Sequence, residues 1–166
     1  MATFKIGQKV RYGQSGVCEI RELASMDGAA YYVLSPLFRQ GATVYVPSEN
    51  ADLVARMQPL LTPDEIPALL DRAEKAQPEW NRDFRKRSEE SRQALASPDR
   101  LDALVLIKSI YAHKKEMSGL GKRAHTTDDY FLRDAELLIY HEIAYVLDEP
   151  FEAVTARVRA MLGANR

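Results

Sequence analysis

Trp80 is the only tryptophan of the chain, and it stands in the segment Pro78-Glu79-Trp80-Asn81-Arg82-Asp83-Phe84-Arg85-Lys86-Arg87. A large apolar ring beside Arg82, Arg85, Lys86 and Arg87 suits a nucleic-acid contact, in which cations hold phosphates while a flat ring wedges against a base step. The same spacing has a second reading. A helix over 79–96 puts Trp80 and Phe84 one turn apart on one face, and aromatic pairs at that spacing commonly pack into a core. Further cations, Lys114-Lys115 and Lys122-Arg123, flank the next loop. Charge runs of this kind also serve as solvated faces, and Asp83, Glu89 and Glu90 stand close enough in sequence to pair with the arginines.

Catalytic signatures fail on inspection. His141-Glu142 opens like a zinc-protease helix, but Tyr145 occupies the position where the second histidine ligand belongs. The reading is a structural or exposed pair. Gly119-Leu120-Gly121-Lys122 lacks the spacing of a phosphate-binding loop and follows a helical pattern rather than a strand, so it reads as an interhelical loop. His113 and His125 have no Cys or carboxylate at ligand spacing, and Cys18 has no activating histidine nearby in sequence. No enzyme activity, metal, cofactor or small-molecule substrate is expected.

A single cysteine excludes an intramolecular disulfide and multi-cysteine metal sites, which points to a reducing cytoplasm. The start, Met1-Ala2-Thr3-Phe4-Lys5-Ile6-Gly7, has no apolar run of signal-peptide type, and no stretch has the roughly 20 apolar residues a membrane helix needs. The formal net charge of −1 does not by itself suggest nucleic acid. Its distribution does: residues 72–123 carry 13 basic and 8 acidic side chains, whereas 124–166 carry 4 and 8, so an acidic tail masks a basic middle.

Two kinds of periodicity position these residues. Over the first 60 residues, Lys9-Val10-Arg11-Tyr12, Val17-Cys18-Glu19-Ile20-Arg21-Glu22-Leu23, Tyr31-Tyr32-Val33-Leu34 and Ala42-Thr43-Val44-Tyr45-Val46 read as short strands. Between them lie the turns Gly13-Gln14-Ser15-Gly16, Asp27-Gly28 and Gln40-Gly41, and Pro47 reads as a stop. Strands this short hide an apolar face by curling, so a five-stranded SH3-like or Tudor-like barrel is expected. From Thr62 onward the period is helical. Thr62-Pro63-Asp64-Glu65 offers a threonine cap, a proline and a returning glutamate, Ser97-Pro98-Asp99 repeats cap and proline, and Thr127-Asp128-Asp129 places acid in a first turn. Helices are expected over 63–75, 79–96, 98–116, 128–147 and 150–162, forming a bundle. Leu101, Leu104, Val105, Ile107 and Ile110 would line one inner face, and Leu137, Leu138, Ile143, Ala144 and Leu147 another. The fold class is α+β, with a barrel over 1–60 and an all-α domain over 61–166 whose residues 61–77 form a connecting helix or linker.

Several segments together resemble the CarD/CdnL family of bacterial transcription factors, whose N-terminal module is shared with the RNA-polymerase-interacting domain of transcription-repair coupling factor. Phe4-Lys5-Ile6-Gly7-Gln8-Lys9-Val10-Arg11-Tyr12 is similar to the family's opening strand. Tyr31-Tyr32-Val33-Leu34 and Thr43-Val44-Tyr45-Val46-Pro47-Ser48-Glu49-Asn50-Ala51 resemble its later strands and the exit from the barrel. Trp80-Asn81-Arg82-Asp83-Phe84 resembles its tryptophan-plus-basic segment, and Asp134-Ala135-Glu136-Leu137-Leu138 with Glu142-Ile143-Ala144 its terminal core helix.

The resemblance implies a transcription regulator, and a cytoplasmic monomer is expected. Its barrel would bind the β-subunit lobe of RNA polymerase through a sheet edge, with Val44, Tyr45 and Pro47 on that edge and Met26 in the matching turn. Its helical domain would rest on promoter DNA at the upstream edge of the bubble, with Trp80 in the minor groove and little sequence specificity, stabilising the open complex. Arg82, Arg85, Lys86, Arg87, Lys122 and Arg123 would serve as DNA contacts, and Phe84 as supporting core that holds Trp80 outward. The chain departs from the family at two places: acid stands at Thr127-Asp128-Asp129-Tyr130 in place of a basic pair, and Tyr45 in place of an arginine. The competing reading is a protein–protein adaptor whose barrel binds a partner and whose helices are structural, without DNA binding.

Overall fold

The structure of the protein, a computed structural model, describes residues 4–39 and 41–164. Gln40 of the expected Gln40-Gly41 turn lies outside them, as do Met1, Ala2 and Thr3 of the N-terminal segment. The arrangement is α+β: an antiparallel five-stranded sheet is followed by helices. The chain divides into two compact units, Met1–Leu60 and Leu61–Arg166.

In the first unit, β1 (Lys9–Tyr12), β2 (Val17–Met26), β3 (Ala29–Pro36), β4 (Val44–Pro47) and β5 (Met57–Gln58) lie in the order β4-β3-β2-β1-β5. Asp27 and Gly28 both adopt positive φ, 53° and 82°, the geometry a two-residue hairpin turn needs, and Met26 pairs with Ala29 across it. The register of β2 on β3 shifts between Ile20 and Glu22, a bulge that bends this long strand. Pro47, expected only to end a strand, is the last residue of β4 and pairs with Tyr31. A terminal proline is tolerated because it owes the ladder no N–H. Asn50 caps the short helix α1 (Ala51–Val54), its side chain accepting from the Leu53 N–H at 3.1 Å. Val10, Cys18, Ile20, Leu34, Val46 and Met57 form the core, and burial pushes the Cys18 thiol up to about 12.

The second unit contains α2 (Glu65–Lys75), α3 (Phe84–Ala96), α4 (Arg100–Gly119), α5 (Thr126–Leu147) and α6 (Phe151–Leu162). α4 and α5 pack on each other, α3 lies on both, and α2 contacts α4 and α6. At the start of α2 the Thr62 N–H donates to Glu65 Oε1 at 2.8 Å, so the glutamate half of the expected capping box is present. Thr62 is not the helix cap, which falls at Asp64. Asp99 caps α4, its side chain accepting from the Leu101 N–H at 2.9 Å, and the His125 ring nitrogen caps α5 by accepting from the Thr127 N–H at 3.1 Å. At the far end of α2 the Lys108 ammonium donates to the carbonyls of Ala73, Glu74 and Ala76, a cation where the helix dipole favours one.

Leu104, Ile107, Ile110, Leu138, Ile143 and Ala144 are buried as their period implies, with Leu101, Val105 and Leu147 half-buried at the margin. Leu137 is a correction: it is exposed, and Ala135, Ile139 and Tyr140 turn inward instead. Glu142 is buried and structural. It takes two hydrogen bonds from Arg100, at 3.1 and 2.8 Å, and one from the Leu61 N–H at 2.9 Å.

Candidate functional site

The helix expected from residue 79 begins at Phe84. Asp83 is its cap, accepting from the Lys86 N–H at 3.2 Å, and Asn81 Oδ1 accepts from the Asp83 N–H at 2.9 Å. Asn81 thus satisfies a backbone donor outside the helix and Asp83 one in its first turn, so the helix starts after Asp83 and residues 80–83 stay out of it. Asn81 also donates to Glu90 on α3 at 3.1 Å. The lead-in strap is therefore fixed, and Trp80 lies on it rather than on a helix face.

This displacement changes what the two aromatic residues touch. Trp80 is half-buried and packs against the helical core, its ring stacked on His113 of α4 at 3.8 Å and 7° between planes. Phe84 is 41% exposed and lies against His125, ring centroids 4.3 Å apart. The expectation that Phe84 forms the supporting core is thus corrected: as the first helical residue it faces outward, and the strap lays Trp80 across α4.

Arg87 joins the two rings. Its guanidinium carbon lies 4.6 Å from the Trp80 ring centroid and 5.4 Å from that of Phe84, both within cation–π range. Nε and Nη2 donate to both carboxylate oxygens of Asp128, at 3.0 and 2.9 Å, and Nη1 donates to the Asn81 carbonyl at 3.0 Å. Asp128 stands in the first turn of α5, so this pair ties α5 to α3. Burial holds the His113 imidazole below its usual pKa, and the Arg87 and Arg82 cations push the same way while Asp128 and Glu116 oppose them.

The other cations are placed differently from Arg87. Arg82, Arg85 and Lys86 are exposed on the strap and the first turn of α3, and Lys122 and Arg123 are exposed on the loop before α5. The His125 contact with Phe84 ties that loop to the start of α3. Lys114 pairs with Asp129 at 2.7 Å. Among the described residues no group of three His, Cys, Asp or Glu side chains could hold a metal ion.

In the sheet, β4 is a terminal strand, so among the described residues one of its edges has no partner strand. Tyr45 is 51% exposed and meets Tyr31 edge-to-face at 6.5 Å, and Pro47 is half-buried on the same alternation. Val44 turns inward against the core. Met26 is exposed at the tip of the β2–β3 hairpin, beyond the Tyr31–Pro47 pair.

Sequence reasoning missed His113, His125 and Asp128 as members of the aromatic site. They come from α4, the following loop and α5, and only the fold brings them to Trp80. No helix among the described residues is long and apolar enough to cross a membrane. Residues 4–60 match the family model described as the CarD-like/TRCF RID domain. No curated protein matches the chain.

Proposed function

Because this chain carries the CarD-like RNA-polymerase-interacting domain at residues 4–60, we propose that it regulates transcription by joining polymerase to promoter DNA at the upstream edge of the bubble. The sheet, read as an SH3/Tudor-like barrel, takes a strand of the β-subunit lobe on the open edge of β4, with Tyr45, Pro47 and Met26 as its side-chain contacts. The helical unit, read as a bundle, contacts DNA through Trp80.

The observation that carries this reading is the clamped tryptophan beside free cations. Trp80 is held by His113 and Arg87, while Arg82, Arg85 and Lys86 stand exposed along the same strap and turn. A ring fixed in advance loses little conformational freedom on meeting a base step, and it binds a partly unstacked duplex better than a closed one. That difference in affinity shifts promoter melting toward the open state. Arg82, Arg85 and Lys86, with Lys122 and Arg123, supply phosphate contacts that position the ring without reading sequence. Arg87 acts through Trp80 and not on phosphate, its guanidinium being already engaged.

The adaptor reading draws on one observation, that Trp80 packs against the helical core. Trp80→Ala separates the two. Open-complex lifetime on a linear promoter should fall several-fold while lobe binding and helical content are retained; an unchanged lifetime would leave the adaptor.

A further inference from the structure

We infer that the groove between α3 and α4 beside Trp80 is a binding site for a small organic cation with an apolar body, an aryl- or alkylammonium. The groove encloses about 440 Å³, within the range of small-molecule sites. Val105, Leu106 and Ile110 supply apolar lining from α4, and Trp80 forms part of the wall. A ligand seated here buries apolar surface against that lining.

The charge around the groove selects the sign of the ligand. Glu79, Glu90 and Asp102 all line it. Glu90 accepts from Asn81 Nδ2 at 3.1 Å and Asp102 from the Ser97 hydroxyl at 2.6 Å, both neutral donors, and among the described residues none of the three carboxylates has a cation within salt-bridge distance. The one lining cation is Arg87, already matched by Asp128. Carboxylates lining a cleft attract an ammonium and repel phosphate. The groove is therefore a separate surface from the exposed cations of the strap. Its occupant touches Trp80, so occupancy alters the DNA contact; this last step rests on the function proposed above.

Trp80 fluorescence reports the groove directly, because the chain has no other tryptophan. The full chain is titrated with phenethylammonium and, at matched ionic strength, with 3-phenylpropionate as an anion of similar shape. A saturable change with the amine and none with the carboxylate is expected. The double variant Glu90→Gln/Asp102→Asn should weaken amine binding at least tenfold, whereas Glu89→Gln, outside the groove, should bind as wild type. Equal responses to both probes, a response that does not saturate, or wild-type binding by the double variant would overturn the site. In a promoter complex, saturating amine should change open-complex lifetime for the wild type and not for the double variant. Saturable binding with no change in lifetime would overturn the link to DNA while leaving the site standing.

Discussion

Arg87 donates to both carboxylate oxygens of Asp128 across 41 residues of sequence, with the arginine side chain 12% and the aspartate 1% exposed. The pair ties α3 to the first turn of α5 and holds the guanidinium against Trp80. Removing one partner leaves an uncompensated buried charge, so Asp128→Ala should cost about 3–5 kcal/mol of unfolding free energy. Urea unfolding followed by Trp80 emission measures this. A loss under about 1 kcal/mol would mean that the pair is not buried in solution.

Arg82, Arg85 and Lys86 differ from Arg87 in being exposed. If they meet phosphates, replacing all three with Ala should lower the slope of log binding constant against log salt by roughly 2–3 on duplex DNA. Arg87→Gln should change that slope little, because its charge is already matched by Asp128. Fluorescence anisotropy across a salt series gives the comparison, and an undiminished slope in the triple variant would place the phosphate contacts elsewhere.

Tyr45 stands on the terminal strand of the sheet, where its ring meets Tyr31 edge-to-face. Tyr45→Asp should weaken binding to the polymerase β lobe about tenfold or more, a change of about 1.4 kcal/mol. The far-UV signal of the helices should be unaltered, since this residue belongs to the other unit. Undiminished capture of the lobe by this variant would remove β4 from the interface.

Both His113 and His141 titrate below the ordinary value of 6.5, each because burial disfavours the imidazolium. The unfolded chain then takes up protons first as pH falls, so stability declines below about 6.5 and levels off once the folded imidazoles also protonate. Unfolding free energies at about pH 7.5 and about pH 5.5 should differ in that direction, and His113→Gln should lessen the difference. A variant as pH-sensitive as the wild type would assign the whole effect to His141.

Much of the helical order was legible because its signals are local. The caps near Thr62, Asp99 and Thr127 lie within a turn of the helices they start, so α2, α4 and α5 begin within two residues of expectation. α3 was misjudged because Trp80 and Phe84 have helical spacing, whereas Asn81 holds the Asp83 N–H outside the helix and Asp83 caps its first turn. The fifth strand, Met57–Gln58, is too short to show a period of two. The aromatic site was half legible: Trp80 and its cations lie in one segment, but His113 and Asp128 arrive from distant helices. Nothing in the spacing of Arg87 marks it as an internal strut rather than a surface charge.

The brevity of β4 sets how firmly anything can be held along it. Four residues end in a proline without an N–H, and alternate residues turn their amides toward β3, so only one or two donors point outward. At about 1 kcal/mol net for each hydrogen bond, main-chain pairing along this edge is too weak to hold a partner by itself. Selectivity must then come from side chains such as Tyr45. The same shortness denies further copies of the chain a template on which to stack, so an unpaired edge can remain in solution without seeding aggregation.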